Sequence, residues 1–440
     1  MNVALIRPDA SRPDSDIFAA ARAQLPGTSA VDELRAADFD AFSRLGLPNR
    51  RIEQWKYTDL RGLIGDVAPL AGAPDASALA KARDVAESIA GEALRLVIVD
   101  GVFVPELSGA PAGGEGVHVR SLAALLAEGG KAVDLLRTRT DIASDATIAL
   151  NAALATGGVV IDVDDNAMPA RPVHIVHVAT RTKQSASTRS LVKVGIGARL
   201  TLAETFVAVG DASAYQVYDS TVLWIGEGAE LQHVRTMEDA ADAAHVATAI
   251  VTIGAKARFN TFNLTSGGAV SRYQGFITFA GEGAELTTNG VNLLRGRQHG
   301  DSTFVITHAV PNCTSREVFR AVVDDRARSV FQGRIIVKPD AQKTDGKMMT
   351  RALLLSDEAE VDNKPELEIF ADDVTCGHGA TAGALDESLL FYLRARGLPE
   401  KEAQALLIQA FVGEAIESIV DENLRDAASA AAERWLMARG

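Results

Sequence analysis

The sequence predicts a mainly β protein, with a right-handed parallel β-helix core flanked by helical N-terminal and C-terminal regions. Three observations lead to this fold class. A Gly-rich phrase recurs roughly every 30 residues, the residues after each phrase alternate between apolar and polar, and helical periodicity is confined to the two ends. The predicted regions are a mostly helical N-terminal part at 1–156, the β-helix core at 157–383 and a C-terminal helical part at 384–440.

The N-terminal region begins with two predicted helices, because residues 16–25 and 31–45 carry apolar side chains at helical spacing and Gly46 follows as a stop. The phrase NRRIEQWKYTDL (49–60) places Trp55 and Tyr57 among charged and polar neighbours, which predicts a packing contact between segments. Residues 65–90 are rich in Ala, Gly and Pro and predict a surface connection with a short helix.

A β-hairpin is predicted near 94–107, where two β-branched runs flank Asp100 and Gly101. This pair accepts the positive φ angles of a tight turn. Helical patterns follow at 121–137 and 144–155, and the run VVIDV at 159–163 predicts the next strand.

The repeated phrase defines the core. A shared alanine marks each copy, from VGIGARL, IGEGAEL, IGAKARF and AGEGAEL to the looser DDRARSVF and LSDEAEV, at positions 198, 229, 257, 284, 327 and 359. The longer gap between Ala284 and Ala327 predicts one extra coil whose turn phrase has drifted. A β-sandwich is the alternative, and the near-regular period without Asn-Gly hairpin turns favours the solenoid. The ends of a stacked coil need covering, so the terminal helical regions are the expected caps.

The C-terminal region predicts two helices. Asp386 caps the first, Gly397 stops it, and Pro399 opens the second at a position that tolerates proline. The second helix has a broad apolar stripe, which either packs on the solenoid end or docks a partner. The stripe consists of Leu407, Ile408, Phe411, Val412, Ala415, Ile416 and Ile419.

Composition limits the partners and the compartment. The net charge of −14 opposes non-specific binding to nucleic acid or to an anionic membrane surface. Two cysteines cannot build a disulfide framework, the first residues show no signal-peptide pattern, and no run is long enough for a membrane helix, so we expect a cytoplasmic protein. A phosphate-binding G-x-x-x-x-G-K-[ST] loop is also missing, so the chain should not hydrolyse ATP itself.

Reactive groups concentrate in KPELEIFADDVTCGHGAT (364–381), at the junction of the core and the tail. In an extended segment Cys376 and His378 point to one face. A thiol and an imidazole there can be two metal ligands, half of a nucleophile pair, or a buried Cys beside a hydrogen-bonded His at a strand end. A full metal or cluster site needs about four ligands, so a second chain or loose thiols would supply the rest.

The other candidate groups are dispersed. His174 and His177 lie on opposite faces of one strand, so a shared metal site is not expected there. His299 and His308 can face outward together in one coil, although we expect no role for them. Cys313 is expected to be buried rather than reactive.

The run from 330 to 398 closely resembles the SufB/SufD family of iron–sulfur cluster assembly scaffolds. Its phrases KTDG, EVDNKPELEIFADDVTCGHGAT and FYLRARG are long and specific, and NRRIEQWKYTDL resembles the SufD branch of that family. The helical N-terminus, β-helix core and helical C-terminus agree with the family's plan, so the likeness spans essentially the whole chain.

The resemblance implies a non-enzymatic subunit that pairs with SufB through the β-helix and engages the SufC ATPase through its C-terminal helices. A nascent cluster would form at the shared interface, with no cofactor bound tightly by the isolated chain, which could form a homodimer. His378 falls on the family's interface histidine and Cys376 on the neighbouring thiol. SufB-type chains tend to have Glu where this chain has Gly379, which leaves most cluster ligands to the partner. Asp372 and Asp373 are expected to hold local backbone and the interface.

The alternative function is a β-helix enzyme acting on polysaccharides. Parallel β-helices host such lyases and hydrolases, which use acidic residues and a basic residue in a cleft along the coils. Asp324, Asp325 and Arg326 are the residues that would fill these roles. Enzymes of this kind are usually secreted, and the expected cytoplasmic location disfavours the alternative.

Overall fold

The computed structural model describes residues 13–137 and 145–439. The start of the N-terminal region and the first residue of the helix expected at 144–155 lie outside the described residues. The α-helices are Pro13–Ala21 (α1), Ser29–Leu45 (α2), Leu60–Ile64 (α3), Ala76–Ala90 (α4), Leu122–Glu128 (α5), Ala146–Leu154 (α6), Glu387–Ala395 (α7), Glu400–Ile416 (α8) and Glu422–Met437 (α9). Short 3₁₀ segments are Arg22–Gln24, Glu53–Trp55, Pro105–Leu107 and Gly130–Leu136.

The β-strands form two sheets. The ten-stranded sheet of the described chain contains Leu94–Val99 (β1), Val102–Phe103 (β2), Val173–Ala179 (β5), Arg199–Ala208 (β7), Glu230–Glu238 (β9), Arg258–Thr265 (β11), Glu285–Leu294 (β13), Thr314–Val323 (β15), Asp345–Leu354 (β17) and Thr375–Gly383 (β19). The nine-stranded sheet contains Val117–Ser121 (β3), Val159–Val163 (β4), Ser185–Val194 (β6), Gln216–Ile225 (β8), Ala244–Ile253 (β10), Val270–Phe279 (β12), His299–His308 (β14), Arg328–Val337 (β16) and Glu360–Ile369 (β18).

The chain alternates between these sheets from β4 onward, and successive strands within each sheet pair in parallel. Each coil therefore contributes one strand to each sheet, which confirms the predicted parallel β-helix. The interior between the sheets is filled mainly by Val, Ile, Leu, Phe and Ala side chains. The Gly-rich phrases form the corners. A Cβ atom on Gly281 would lie 1.9 Å from the backbone nitrogen of Ala255 in the preceding coil, so only glycine fits there.

The long gap between two copies of the phrase has a different cause from the one predicted. Ala284 precedes β13 of the ten-stranded sheet, whereas Ala327 precedes β16 of the nine-stranded sheet. The interval therefore spans one and a half coils rather than containing a single extra coil. In the first four copies the phrase forms the turn that leads into the ten-stranded sheet, and in the last two it forms the turn that leads into the nine-stranded sheet. The same phrase can serve in both places because both turns are tight.

The first coil is closed by antiparallel strands. The predicted hairpin is confirmed, since β1 and β2 pair antiparallel and Asp100 and Gly101 have φ angles of 48° and 88°. On its other side β1 pairs in parallel with β5, so the hairpin is built into the ten-stranded sheet. In the other sheet, β3 pairs antiparallel with β4.

The helices lie on the sides of the solenoid, which corrects the expectation that they cap its ends. Helix α6 packs against β6 and β8 of the nine-stranded sheet. Helix α4 covers β1 and β5, and α8 covers β13 and β15 of the ten-stranded sheet. The predicted surface connection at 65–90 thus contains a long helix, α4, whose alanine face is buried against the sheet. At 121–137, helix α5 ends at Glu128 and a 3₁₀ segment follows.

Candidate functional site

Cys376 and His378 lie on β19, the last strand of the ten-stranded sheet. β19 pairs with β17 so that Cys376 is opposite Gly346 and His378 is opposite Met348. Met348 belongs to the buried interior and Cys376 packs against that interior, so both β19 side chains are on the inward face. Cys376 is half-buried, whereas His378 is exposed because no further coil covers it in the described chain.

The thiol of Cys376 is held in its protonated form. Partial burial raises its pKa, and this effect outweighs the backbone N–H of Gly346, which donates to the sulfur. The absence of a side chain at Gly346 leaves room beside the thiol, since a Cβ there would lie 3.6 Å from Cys376 Sγ. A protonated thiol is a weak nucleophile and must lose its proton before it can bind a metal.

The imidazole of His378 makes no hydrogen bond within residues 13–137 and 145–439, so the structure does not show the hydrogen-bonded His of the structural alternative. The described residues also show no hydrogen bond between this imidazole and the Cys376 thiol. The hypothesis of a nucleophile pair therefore lacks the contact that it requires. In the described chain no group of three or more His, Cys, Asp and Glu side chains could hold a metal ion.

The turn before β19 is fixed by Asp373. Its carboxylate pairs with the Lys343 ammonium, its backbone N–H donates to Gln342 Oε1 at 2.9 Å, and its carbonyl accepts from the Lys343 N–H at 2.6 Å. These contacts agree with the expectation that Asp373 holds local backbone. Asp372 is exposed on the same turn.

The end of the solenoid that carries the site is open. β18 and β19 are the outermost strands of their sheets in the described chain, so each presents one unpaired backbone edge. Ile369 at the end of β18 and Phe370 directly after it are 42% and 60% exposed. Apolar side chains beside two free strand edges form a surface suited to another protein.

The four other histidines considered in the sequence analysis are buried. His174 and His177 point to opposite faces, as predicted, and the Nε2 atom of His174 lies 2.9 Å from Thr205 Oγ1. His299 bonds Thr58 on the outer face at 2.9 Å, whereas His308 bonds Ser315 in the interior at 3.1 Å. The expectation that His299 and His308 face outward together is wrong, because an odd separation along one strand places them on opposite faces. Cys313 is buried, as predicted.

A charged cluster inside the solenoid was not predicted. Arg235 Nη1 donates to Glu204 at 3.0 Å and Nη2 donates to Asp219 at 2.9 Å. His233 Nε2 lies 2.7 Å from the same Glu204, and His245 Nδ1 lies 2.8 Å from Asp239. The sequence contained a sign of this cluster, because Glu204 is an even number of residues from the inward-facing apolar residues of β7 and so points to the same side of the strand.

The NRRIEQWKYTDL phrase packs on the outside of the nine-stranded sheet, which confirms the predicted packing contact. The Trp55 ring lies under the Arg272 guanidinium, 3.8 Å from ring centroid to Cζ. Arg272 pairs with Asp301, whose carboxylate also accepts from the Thr58 hydroxyl. Gln54 accepts through its carbonyl from Arg272 at 2.9 Å.

The C-terminal helices present two different surfaces. The predicted stripe of α8 is buried on the outer side of the ten-stranded sheet, where Ile408 and Val412 meet Phe262 and Val291. The stripe thus packs on the solenoid, although on its side and not on its end. Helix α7 begins at the predicted cap Asp386 and has no buried residue. Its Phe391 is 75% exposed, beside exposed Leu389 and Tyr392.

The residues proposed for a polysaccharide site are engaged in a solenoid corner. Asp324 pairs with Arg439 of the C-terminal tail, Asp325 accepts from the Gly296 N–H at 2.9 Å, and Arg326 donates to Glu358 at 2.9 Å. These ion pairs and turn contacts account for the three side chains structurally.

No helix of the described residues is long and apolar enough to cross a membrane.

Comparison with known proteins gives the family. Residues 177–411 match the model described as "SUF system FeS cluster assembly, SufBD core domain", which is more than half of the chain. The chain belongs to the SufBD family. Within the match lie the whole solenoid from β6 onward, both Cys376 and His378, helix α7 and most of α8.

Two of the similar proteins match nearly the whole chain and a third matches about half of it. The iron–sulfur cluster assembly protein SufD of Escherichia coli is 33% identical over 395 residues, covering 87% of this chain and 88% of the relative. A SufBD family protein of Synechocystis is 31% identical over 412 residues, covering 90% of each chain. The chloroplastic protein ABCI7 of Arabidopsis thaliana is 30% identical over 243 residues, 54% of this chain and 51% of the relative. The chain is therefore a SufD-like SufBD protein of the SUF system.

Proposed function

We propose that this chain is a non-catalytic scaffold subunit for iron–sulfur cluster assembly. It pairs with a SufB chain through the open end of its β-helix and docks the SufC ATPase through its C-terminal helices. The nascent cluster is cargo, held transiently between the two β-helix chains. The single observation that carries this proposal is the placement of His378 and Cys376 at an open, partly apolar end of the solenoid.

The two candidate ligands have different parts in the proposed site. His378 is exposed and its imidazole has no hydrogen bond within the described chain, so a ring nitrogen can donate its lone pair to iron without first breaking a contact. Cys376 is partly buried and protonated, so it binds only after its proton is removed. His378 is thus the main ligand and Cys376 the lesser one.

The open end supports pairing with a second β-helix. Each of β18 and β19 offers a row of unpaired backbone N–H and C=O groups, which a strand from another chain can satisfy. SufB is the partner that the family membership suggests. In its absence we expect two copies of this chain to pair through the same end, which would give a homodimer.

The test begins with co-expression of this chain with SufB and SufC from the same organism. Size-exclusion chromatography with mass determination gives the stoichiometry, and anaerobic iron and sulfide assays give the cluster content. We expect an assembly with one copy of this chain that carries iron only when SufB is present. A chain that stays alone and free of iron would overturn the proposal.

The site residue is tested by His378→Ala in that assembly. We expect cluster content to fall several-fold, while the circular dichroism and the melting temperature of the isolated chain stay unchanged, because His378 is exposed and unbonded. His118→Ala is the matched control, since His118 is also exposed but lies on β3, far along the chain from the open end. Equal cluster content in the two variants would remove His378 from the site.

A further inference from the structure

Glu317 is a buried acid without a partner inside the solenoid. It lies on β15 and is 1% exposed. Its register neighbours are Thr288 on β13 and Met348 on β17. Both carboxyl oxygens of Glu317 and the hydroxyl of Thr288 lack a hydrogen-bond partner among the described residues. Unpaired polar atoms at such depth are rare in proteins and call for an explanation.

The surroundings of Glu317 contain no compensating charge. The strands packed around it are β13 and β17 beside it and β14 and β16 across the interior. Their inward side chains include one titratable group, His308, whose own pKa is lowered to about 4 by burial, so it is neutral. On β15 itself the inward neighbours are Ser315 and Phe319. Burial raises the pKa of Glu317 to about 8, which means that the carboxyl is protonated at neutral pH.

A single row of inward side chains connects Glu317 with the open end. Glu317 is opposite Met348, and Met348 is opposite His378 on the next strand of the sheet. Adjacent strands are about 4.8 Å apart, so Glu317 and His378 are separated by roughly 10 Å. The side chain that lies between them, Met348, is apolar. Met348 is buried, and a Cβ on Gly333 of the facing sheet would lie 2.5 Å from its Sδ atom.

We propose that Glu317 is an internal proton-exchanging residue coupled to the charge at the His378 site. It keeps its proton while that site carries no cation. When a cation binds there, the O–H bond of the carboxyl breaks, the proton is released to bulk water, and the carboxylate remains as an internal counter-charge. A nearby positive charge favours the ionised form of an acid, and the burial of Glu317 weakens solvent screening between the two. The role of the cation rests on the proposed function.

The coupling can be tested without any metal or partner. A lysine at position 378 supplies a fixed positive charge, and a glutamine supplies a neutral side chain of similar size. The isolated chain carrying His378→Lys or His378→Gln is titrated while infrared absorption of protonated carboxyl groups is recorded. The Glu317 signal is identified as the band that is lost in the Glu317→Gln variant, which keeps the size of the side chain.

We expect a Glu317-dependent carboxyl band at pH 7 in the natural chain. The midpoint of its loss should be lower in His378→Lys than in His378→Gln by roughly half to one pH unit, from Coulomb's law at about 10 Å. Absence of the band at pH 7, or identical midpoints in the two variants, would overturn the proposal. If Glu317→Gln does not fold, Glu317→Met serves for the assignment, because it fills the same space with an apolar side chain.

The assembled complex gives a second, separable readout. Anaerobic addition of ferrous iron to the complex is followed by calorimetry in two buffers of different ionisation heat, which yields the number of protons released per iron bound. We expect Glu317→Gln to bind iron and to release roughly half a proton fewer at pH 7, because a divalent cation at about 10 Å lowers the pKa of Glu317 by only about one to two units. Iron binding with an unchanged proton count would overturn the role of Glu317 alone, whereas loss of iron binding in the natural complex would contradict the proposed function.

Discussion

Buried charge in the solenoid is tolerated where carboxylates and cations meet from successive coils. Burial by itself raises the pKa of Glu204, but the Arg235 guanidinium and the hydrogen bond from His233 outweigh it and hold that pKa below the usual range. The same balance, with His245 as the favourable partner, lowers the pKa of Asp239. Both carboxyl groups therefore stabilise the fold as carboxylates.

This balance predicts how stability depends on pH. Because the folded-state pKa of both acids is below the unfolded value of about 4, their contribution is present above pH 4 and is lost as the pH falls below it. Glu204→Gln leaves the charge of Arg235 less compensated and should lower the free energy of unfolding at pH 7 by about 3 kcal/mol, with a shallower further loss in acid. Urea unfolding at several pH values measures both effects.

Glu230→Gln is the control for that substitution. Glu230 pairs with Arg199 and Arg258 on the outer surface, where ion pairs contribute less than about 1 kcal/mol. Equal losses of unfolding free energy in the two variants would show that the interior cluster stabilises the fold no more than a surface ion pair does.

The sequence allowed part of this cluster to be predicted. The period of two on β7 places Glu204 in phase with Leu202 and Phe206, so its inward direction was available. Its partners were not, because His233 and Arg235 come from the next coil and Thr221 from the opposite sheet. Likewise, the alternation placed Cys376 and His378 on one face, yet it carried no information on their unequal exposure.

Helices α7 and α8 show how one tail provides both packing and a free surface. The stripe of α8 was visible in the sequence, but an apolar stripe indicates only that a helix packs and not which surface receives it. Helix α8 packs on the side of the solenoid and not on its end because Phe262, Leu264 and Val291 form an outward apolar patch on the ten-stranded sheet. Helix α7 leaves its apolar residues outside.

The packing of α8 is tested by Ile408→Ala. Ile408 is fully buried against the sheet, so truncation should destabilise the docked tail by about 2–5 kcal/mol. We expect faster proteolytic cleavage near 384–400 while the solenoid stays intact. Leu406→Ala on the exposed face of the same helix should leave the cleavage rate unchanged, and equal rates for both variants would contradict this packing.

The free surface of α7 is tested by Phe391→Asp. Since Phe391 is exposed, the change should leave the melting temperature of the isolated chain within about 1 °C while weakening the proposed SufC binding at least tenfold. Isothermal calorimetry measures the affinity. Met168→Asp, at another exposed apolar site before β5, should bind as the natural chain does; unchanged affinity in Phe391→Asp would contradict docking through α7.

At the scale of the whole molecule, the two ends of the solenoid are finished differently. Antiparallel strands β2 and β3 close the first coil, whereas the last coil keeps both edges and part of its core exposed. The repeat in the sequence predicted the coil stacking, because each corner needs the same Gly-rich turn. It did not predict this asymmetry, since the strands that cover the first coil, β2 and β3, lie outside the repeat.

The open end predicts self-association of the isolated chain. Ile369→Asp together with Phe370→Asp places two charges on the exposed apolar surface and should convert a dimer into a monomer, because like charges would then face each other across a symmetric contact. Light scattering after size-exclusion chromatography gives the mass. A natural chain that is already monomeric at high concentration, or a dimer that survives the double change, would contradict the prediction.

The segment from Glu53 to Thr58 has a mechanical consequence. Along its short length it is bonded to β12 through Arg272, to β14 through Asp301, to β16 through Gln332 and to β18 through Lys364. These four strands are consecutive in the nine-stranded sheet, about 14 Å from first to last. The segment therefore cross-links four successive coils along one side of the solenoid. It resists any bending that would separate those strands, so a force applied to the side of the solenoid should move the open end as part of a rigid body.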